Sequence, residues 1–497
     1  MTPISLPDAK KHLKNYPGLQ HIPYNEHVWG HRFKSDQTPA LILFELMCVL
    51  DNQFAAKNKG AHSDETFKVF HPDNKSLAYG HRRNLRLRYL LFQNEILEEL
   101  NSSNLSDKVK WDKQRNFLLN ADLDKYGFDS HSINHMSENF PVFEDFFNAI
   151  EALRQLTFDP LSKKRWTSKF LYPISRAFIW NDLGENKFDH DRRFFARGGE
   201  LAYLMLCRAS VDLRNKLEEI WGDWFGTTPQ DPFSKIAEKL VKLEDFSNTQ
   251  QLRAIPLGFL PYKEMPLFNH FARDIISVFS NDKIDDLDKI NTLSNLVGFY
   301  IGSYIYHVAY SDANKEIAFL TEVIVKPSNS IRKASIESVS TQRNQLKYML
   351  EKHLPILEAS YKSDDPTISS DEKVDAIKYF QKNISIIPNM CFRHIGLLSK
   401  KNTRSYRYVM TESFLQTLVI TILADKERME LGLFLRALED RYFIYINRQP
   451  SSTSSVDQGD LNKNLKNFTY LLYQMGMLRH LSDACSYVIN PYREAII

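Results

Sequence analysis

Glycine is scarce in this sequence, 17 of 497 residues against 33 phenylalanines and 23 tyrosines. That balance argues against Gly-rich loop architectures and for aromatic side chains packed between helices. Cysteine is scarcer still. Cys48, Cys207, Cys391 and Cys485 lie far apart and form no C-x-x-C pair, which excludes a sequence-local zinc ribbon and argues against a disulfide framework. A reducing compartment, the cytoplasm, fits that usage. An excess of one sign of charge is nearly absent too: the net is +3 from 64 basic and 61 acidic residues. There is then no global electrostatic drive onto nucleic acid, and DNA binding has to be argued from local patches.

Long apolar runs are missing. Met1 to Leu19 is polar, with Pro3, Pro7 and Pro17, and has no apolar signal core. The best candidate for a membrane span, Leu293 to Tyr310, is short and carries Tyr, Ser, Asn and His throughout, so it reads as a buried core helix and no membrane partner is expected. Catalytic signatures are missing as well: no G-x-S-x-G, G-x-G-x-x-G or paired carboxylate–lysine pattern stands out. No catalytic residue, metal site or cofactor is assigned, and enzymatic activity is unsupported, not excluded.

What is present is ordinary globular composition, 43% hydrophobic and 25% charged, in a chain long enough for roughly two to four domains. The pattern predicts a mainly α protein, a multi-subdomain helical array with a C-terminal winged-helix-like module and few short strands. Its expected divisions are 1–140, 141–260, 261–400 and 401–497. The stretch Pro256 to Pro266, with three prolines, marks a hinge.

A buried helix is expected from Asp36 to Leu50, with Pro39 in its first turn. After an extended piece from Glu65 to Phe70, an amphipathic helix runs from Arg82 to Leu100, basic at its start. That polarity opposes the helix dipole, so Arg82, Arg83, Arg86 and Arg88 mark either an anionic partner or a solvated face. Asn101 to Asn139 reads as a loop-rich connection. Helices follow at Val142 to Leu156, Trp166 to Ile179, Gly199 to Ser210, Leu213 to Phe225, Pro232 to Leu243 and from Leu267. A strand at Ala318 to Lys326, a polar helix at Ser330 to His353 and a linker at Ser360 to Asp371 complete the middle.

The C-terminal module opens with helices at Thr411 to Leu423 and Arg428 to Tyr442 and an apolar run at Phe443 to Ile446. A third helix spans Asp460 to Met475 and stops at Gly476. Leu478 to Ser482 and Tyr487 to Asn490 then flank a turn as a β-hairpin. Three helices and a hairpin suggest a winged helix. In a DNA-reading version Asn462, Lys463, Lys466 and Asn467 on the third helix face the groove, with Arg479 and His480 near the wing. Winged helices also dock proteins, and both uses stay open.

The densest polar cluster is Asp189, His190 and Asp191, followed by Arg192, Arg193, Arg197 and the helix-opening Gly198-Gly199-Glu200. It reads either as an anion site at a helix start, with the arginines as phosphate ligands, or as internal ion pairs and a close helix contact. The first option carries the alternative that the chain is a nucleic-acid or nucleotide-phosphate processing enzyme. No Walker lysine follows it. His131 and His135 share a helical face without forming H-E-x-x-H. His27, Trp29 and His31 either line a pocket or pin the N-terminal segment to the core.

Three stretches, GHRFKSDQTPALILFEL, RRFFARGGELAYLMLCRAS and RHLSDACSYVINPY, resemble the helical accessory subunits of bacterial multi-gene anti-phage defence systems of the methylation-associated kind. The resemblance implies a protein complex in which this chain works beside an ATPase, nuclease or methyltransferase of the same operon. It carries no residue role onto these positions. The leading expectation is thus a non-catalytic scaffold or adaptor in antiviral defence. A sequence-nonspecific DNA binder using the Arg82 to Arg88 cluster and the terminal module is a further alternative.

Overall fold

The computed structural model describes residues 38–58, 67–72, 76–79, 85–92, 94–120, 128–157, 198–226, 232–242, 253–256, 260, 262, 264–310, 317–323, 329–364, 386–451, 453, 455–482 and 485–493. Among them helices dominate and the strands are few and short.

Helix α1 (Pro39–Asn58) starts where Thr38 accepts a hydrogen bond from the Leu41 amide at 3.3 Å, with Pro39 supplying the fixed φ of a first turn. Ile42 to Leu50 are all buried, and the helix runs two turns past the expected end. Strand β1 (Ser76–Tyr79) follows.

A small bundle comes next: α2 (Leu85–Phe92), α3 (Leu97–Ser102), α4 (Asp107–Asn120), α5 (Ser130–Asn139) and α6 (Phe143–Thr157). It has its own core, including Leu90, Trp111, Met136, Phe143 and Phe146. Two expectations are corrected here. The Arg82 to Leu100 helix is broken after Phe92, where Arg154 of α6 donates to the Leu91 carbonyl at 2.9 Å and takes the place of a further helical turn. The region read as loop-rich contains α4 and α5. The buried face of α4 includes Lys110 and Gln114, which hides its period from an apolar count, and α5 is capped by Asp129, which accepts from the Ser132 amide at 2.6 Å.

Helix α7 (Gly198–Cys207) is buried along its whole length and crosses α1 so closely that a Cβ on Gly199 would stand 2.3 Å from the Leu46 nitrogen. Helices α8 (Val211–Gly226) and α9 (Pro232–Leu240) follow, the latter closing the small bundle through Ala237 and Leu240. Strand β2 (Arg253–Pro256) pairs antiparallel with β1, Ser76 opposite Pro256. The proline-rich stretch therefore leads from a strand into α10 (Pro266–Phe279), where Pro266 opens the helix. Helix α11 (Asp286–Tyr310) carries the apolar Leu293 to Tyr310 run as a buried central helix. No helix among the described residues is long and apolar enough to cross a membrane.

Strands β3 (Phe319–Leu320) and β4 (Glu322–Val323) replace the single expected strand, since each pairs with a different partner. Helix α12 (Asn329–Asp364) is longer than expected and extends into the stretch read as a linker. It looks polar because its inner face bonds backbone: Ser335 donates to Tyr408 O, Ser338 and Gln342 to Ala318 O, and Gln345 to Ala309 O, at 2.8–2.9 Å.

The remaining elements are α13 (Ile386–His394), β5 (Leu398–Ser399), β6 (Arg407–Met410), α14 (Glu412–Ile422), β7 (Arg428–Glu430), α15 (Leu431–Tyr442), β8 (Ile444–Tyr445), α16 (Gln458–Gln474), β9 (Leu478–Ser482) and β10 (Cys485–Ile489). The helix expected from Arg428 begins three residues later, because Arg428 to Glu430 join the terminal hairpin as a third strand in the order β7-β10-β9. Strand β3 runs parallel to β8, and β4 parallel to β6, with β5 antiparallel on its far side. One large core reaches from Ile42 to Val488 and joins α1, α7, α10 and α11 to the C-terminal elements.

Candidate functional site

Helix α16 is held from one side and open on the other. Asp457 caps it by accepting from the Gly459 amide at 2.7 Å, and Gly476, at φ 70°, ends it in the left-handed conformation that glycine adopts at no steric cost. On the buried side Asn464 accepts from Val323 N at 3.0 Å and donates to Thr321 O at 2.9 Å and Ile446 O at 2.8 Å. One amide thus ties α16 to β4 and to the chain after β8. Asn467 turns the same way, donating to Val323 O at 3.4 Å.

On the open side lie Asn462, Lys463 and Lys466. Asn462 accepts from Gln458 at 3.2 Å and Lys463 pairs with Asp460 at 3.0 Å. Further along, Tyr470 is 48% exposed, Tyr473 61% and Leu481 of β9 61%, large side chains left open to water. Gln474 donates to the Tyr470 hydroxyl at 3.0 Å, the Tyr473 ring lies 6.3 Å from that of His480, and His480 meets the Ser486 hydroxyl at 2.8 Å. Of the residues picked from sequence, Asn462, Lys463 and Lys466 share the outer face, Arg479 and His480 stand exposed on β9, and Asn467 faces inward. Tyr470, Tyr473 and Leu481 escaped the sequence reading. Their signal was the exposed i, i+3 pair of tyrosines on an otherwise polar helix face.

Beneath this helix β4 carries a buried ion centre. Glu322, 1% exposed, receives Arg407 of β6 at 2.5 Å and Arg332 of α12 at 3.0 Å. Arg407, 2% exposed, spends its other nitrogen on Lys401 O at 2.8 Å and Thr403 Oγ1 at 3.0 Å, so the pair reaches through to the turn between β5 and β6.

A second buried centre joins α10 and α11 to the terminal module. Asp274 is fully buried and accepts the hydroxyls of Tyr300 at 2.5 Å and Tyr442 at 2.7 Å, while Arg441 pairs with its other oxygen. Burial, and then the neighbouring Tyr442, hold the Tyr300 hydroxyl far above its usual range, and burial also raises Tyr442. Burial drives His270 down to about 4, helped by Arg441 and Arg273, and His307 down to about 3, helped by His270. None of these groups is poised near neutrality for proton transfer. The centre is a joint between helices.

The other sequence candidates fall elsewhere. Arg82, Arg83, Asp189, His190, Asp191, Arg192, Arg193 and Arg197 lie outside the described residues, as do His27, Trp29, His31 and the Trp166 to Ile179 helix. Arg88 sits in α2 with its side chain outside the description. Arg86 is half-buried, and its charge joins the Ser132 hydroxyl and amide bonds in holding the Asp129 carboxyl below its usual range. At the start of α7 the Gly199 amide donates to Glu45 of α1 at 2.9 Å, so this amide of the helix start is bonded to a carboxylate of the chain itself. His135 bonds Glu238 O at 2.8 Å and His131 stands 3.3 Å from Lys242, and among the described residues the two do not converge on a third ligand.

The class defined so far is a mainly helical protein whose last elements present an open helix-and-hairpin face. Residues 329–491, from the first residue of α12 to just past β10, match the family model described as methylation-associated defense system protein MAD7. This third of the chain is therefore similar to a family of defense-system proteins, in agreement with the resemblance drawn from the sequence. No curated protein and no solved structure matches the chain.

Proposed function

We propose that this chain is a non-catalytic helical scaffold or adaptor of a bacterial anti-phage defence complex, and that its C-terminal elements form a winged helix that docks a partner protein from the same operon. The order helix, strand, helix, helix, hairpin, interrupted only by the two-residue β8 that pairs with β3, and with β7 on the outer side of β10, supports the winged-helix reading. The observation that carries docking over base reading is the division of α16. Asn467, a natural adenine reader, is spent on Val323 O, while the outward surface offers Tyr470, Tyr473 and Leu481. Aromatic side chains with a polar tip are what protein interfaces concentrate at their centres.

The test is co-purification from cells carrying the whole operon with the chain tagged. Tyr470→Ser combined with Tyr473→Ser leaves an exposed surface chemically intact for folding, so the thermal midpoint stays within about 2 °C while partner recovery falls at least about tenfold. Undiminished recovery by the double variant removes this face as the docking site.

A further inference from the structure

Tyr406, the last residue before β6, gathers three cations on one ring. The Arg343 guanidinium of α12 stands 5.1 Å from its centroid, Lys400 5.6 Å and Arg393 at the end of α13 5.9 Å. Each is attracted by the ring quadrupole, but a ring has only two faces, and like charges gathered around one ring also repel. No carboxylate among the described residues pairs with any of them, and the Arg343 Nε is shut off from water with no acceptor. Lys401 and Arg404 on the same turn are exposed and add to the same sign.

The turn is built, not merely basic. Arg407, fixed by Glu322, holds Lys401 O and Thr403 Oγ1 from beneath, Thr403 donates to Ser405 O at 2.8 Å, and the Lys401 amide donates to Ser399 Oγ at 3.1 Å. Asn402 takes the left-handed φ of 60° that lets the chain reverse there, a conformation Asn tolerates better than most. A chain with nearly balanced charge has no need to concentrate, on three elements, five cations that no carboxylate among the described residues pairs with. An anion that offsets them accounts for the arrangement.

We propose that Arg343, Arg393, Lys400, Lys401 and Arg404 form a site for the phosphate backbone of a nucleic acid. The cations come from two helices and a turn, and five positive charges exceed what one phosphate offsets, which favours a row of phosphates over a single one. The Tyr406 ring is already covered by cations, so it offers no platform for a base. Contact is therefore to phosphates, independent of sequence and dependent on salt. This site is separate from the docking face of α16 and stands or falls without it.

The experiment is fluorescence anisotropy of the full chain with labelled duplex DNA, single-stranded DNA and RNA of one sequence. If about four phosphates are engaged, affinity for the bound probe falls about 100-fold between roughly 50 and 200 mM salt. Lys400→Ala, Lys401→Ala and Arg404→Ala together lower the slope of log affinity against log salt by about 2 to 3, and Arg343→Gln with Arg393→Gln lowers it by about 2. Removing as many cations elsewhere, by Lys113→Ala, Lys239→Ala and Lys283→Ala, leaves binding unchanged. The proposal is overturned if the parent chain binds none of the three probes, if binding ignores salt, or if the control triple variant weakens it as much as the turn variant. An additional outcome, in which the turn triple variant and the Arg343/Arg393 variant both bind like the parent, overturns it equally.

Discussion

Asp274 and Glu322 are both buried carboxylates, and their partners satisfy them differently. Asp274 is met by two tyrosine hydroxyls and one arginine, and that arginine keeps 22% of its side chain exposed. Glu322 is met by two arginines, one of them 2% exposed and bonded on its far side to a turn. Neutral donors leave Asp274 as a joint whose failure is local, since Arg441 can still reach water. At Glu322 removal of the acid strands a buried cation. The comparison teaches that the ion centre is the costlier of the two; its arginines, Arg332 and Arg407, fall within the segment similar to defense-system proteins while Glu322 precedes it, and it links α16 through β4 to the basic turn.

The largest expected effect follows directly. Glu322→Gln destabilises the protein by about 3–5 kcal/mol in urea unfolding, because Arg407 is left buried and unpaired. Adding Arg407→Met recovers most of that loss. A loss for Glu322→Gln below about 1 kcal/mol breaks the comparison. Asp274→Asn comes second, at about 1–3 kcal/mol, since the amide oxygen still accepts the tyrosine hydroxyls and Arg441 turns to solvent. A cost equal to that of Glu322→Gln would erase the distinction drawn between the centres.

A third effect is one of pH. His270 and His307 beside the Asp274 joint are neutral in the fold, with values near 4 and 3, against 6.5 for the unfolded chain. Their folded values are depressed, so between these limits the unfolded chain binds more protons. Stability is then full above about pH 6.5 and falls as the pH drops toward 4, and thermal midpoints measured across that window follow the decline. His307→Gln flattens the slope in part. An unchanged acid slope in that variant moves the proton uptake elsewhere.

Much of the helical frame was legible in the sequence, from apolar residues that recur at the helical period, as in α6 and α10, or from a continuous apolar run behind a capping residue, as in α1 and α14. Helix α4 was not, since Lys110 and Gln114 occupy buried positions, nor was the break between α2 and α3, which depends on Arg154 from another helix. Strand β7 is three residues long and mostly exposed, too little for a period-2 signal. The hairpin was legible from its turn. The inward use of Asn464 and Asn467 was not, because it depends on β4, more than 140 residues away. Both ion centres are invisible for the same reason: Glu322 and Arg407, like Asp274 and Tyr442, meet only after folding. The basic turn had a signal that went unread, four cations and no acid from Lys400 to Arg407 between two short apolar runs.

The central claim is that this chain works as a docking subunit. Its most direct test is the mass of the species that carries it when it is gently purified from cells expressing the whole operon. The account predicts a stoichiometric complex with another operon product, separable from the free chain by size. A chain recovered only as a monomer, with the operon's other proteins expressed and soluble, would contradict it.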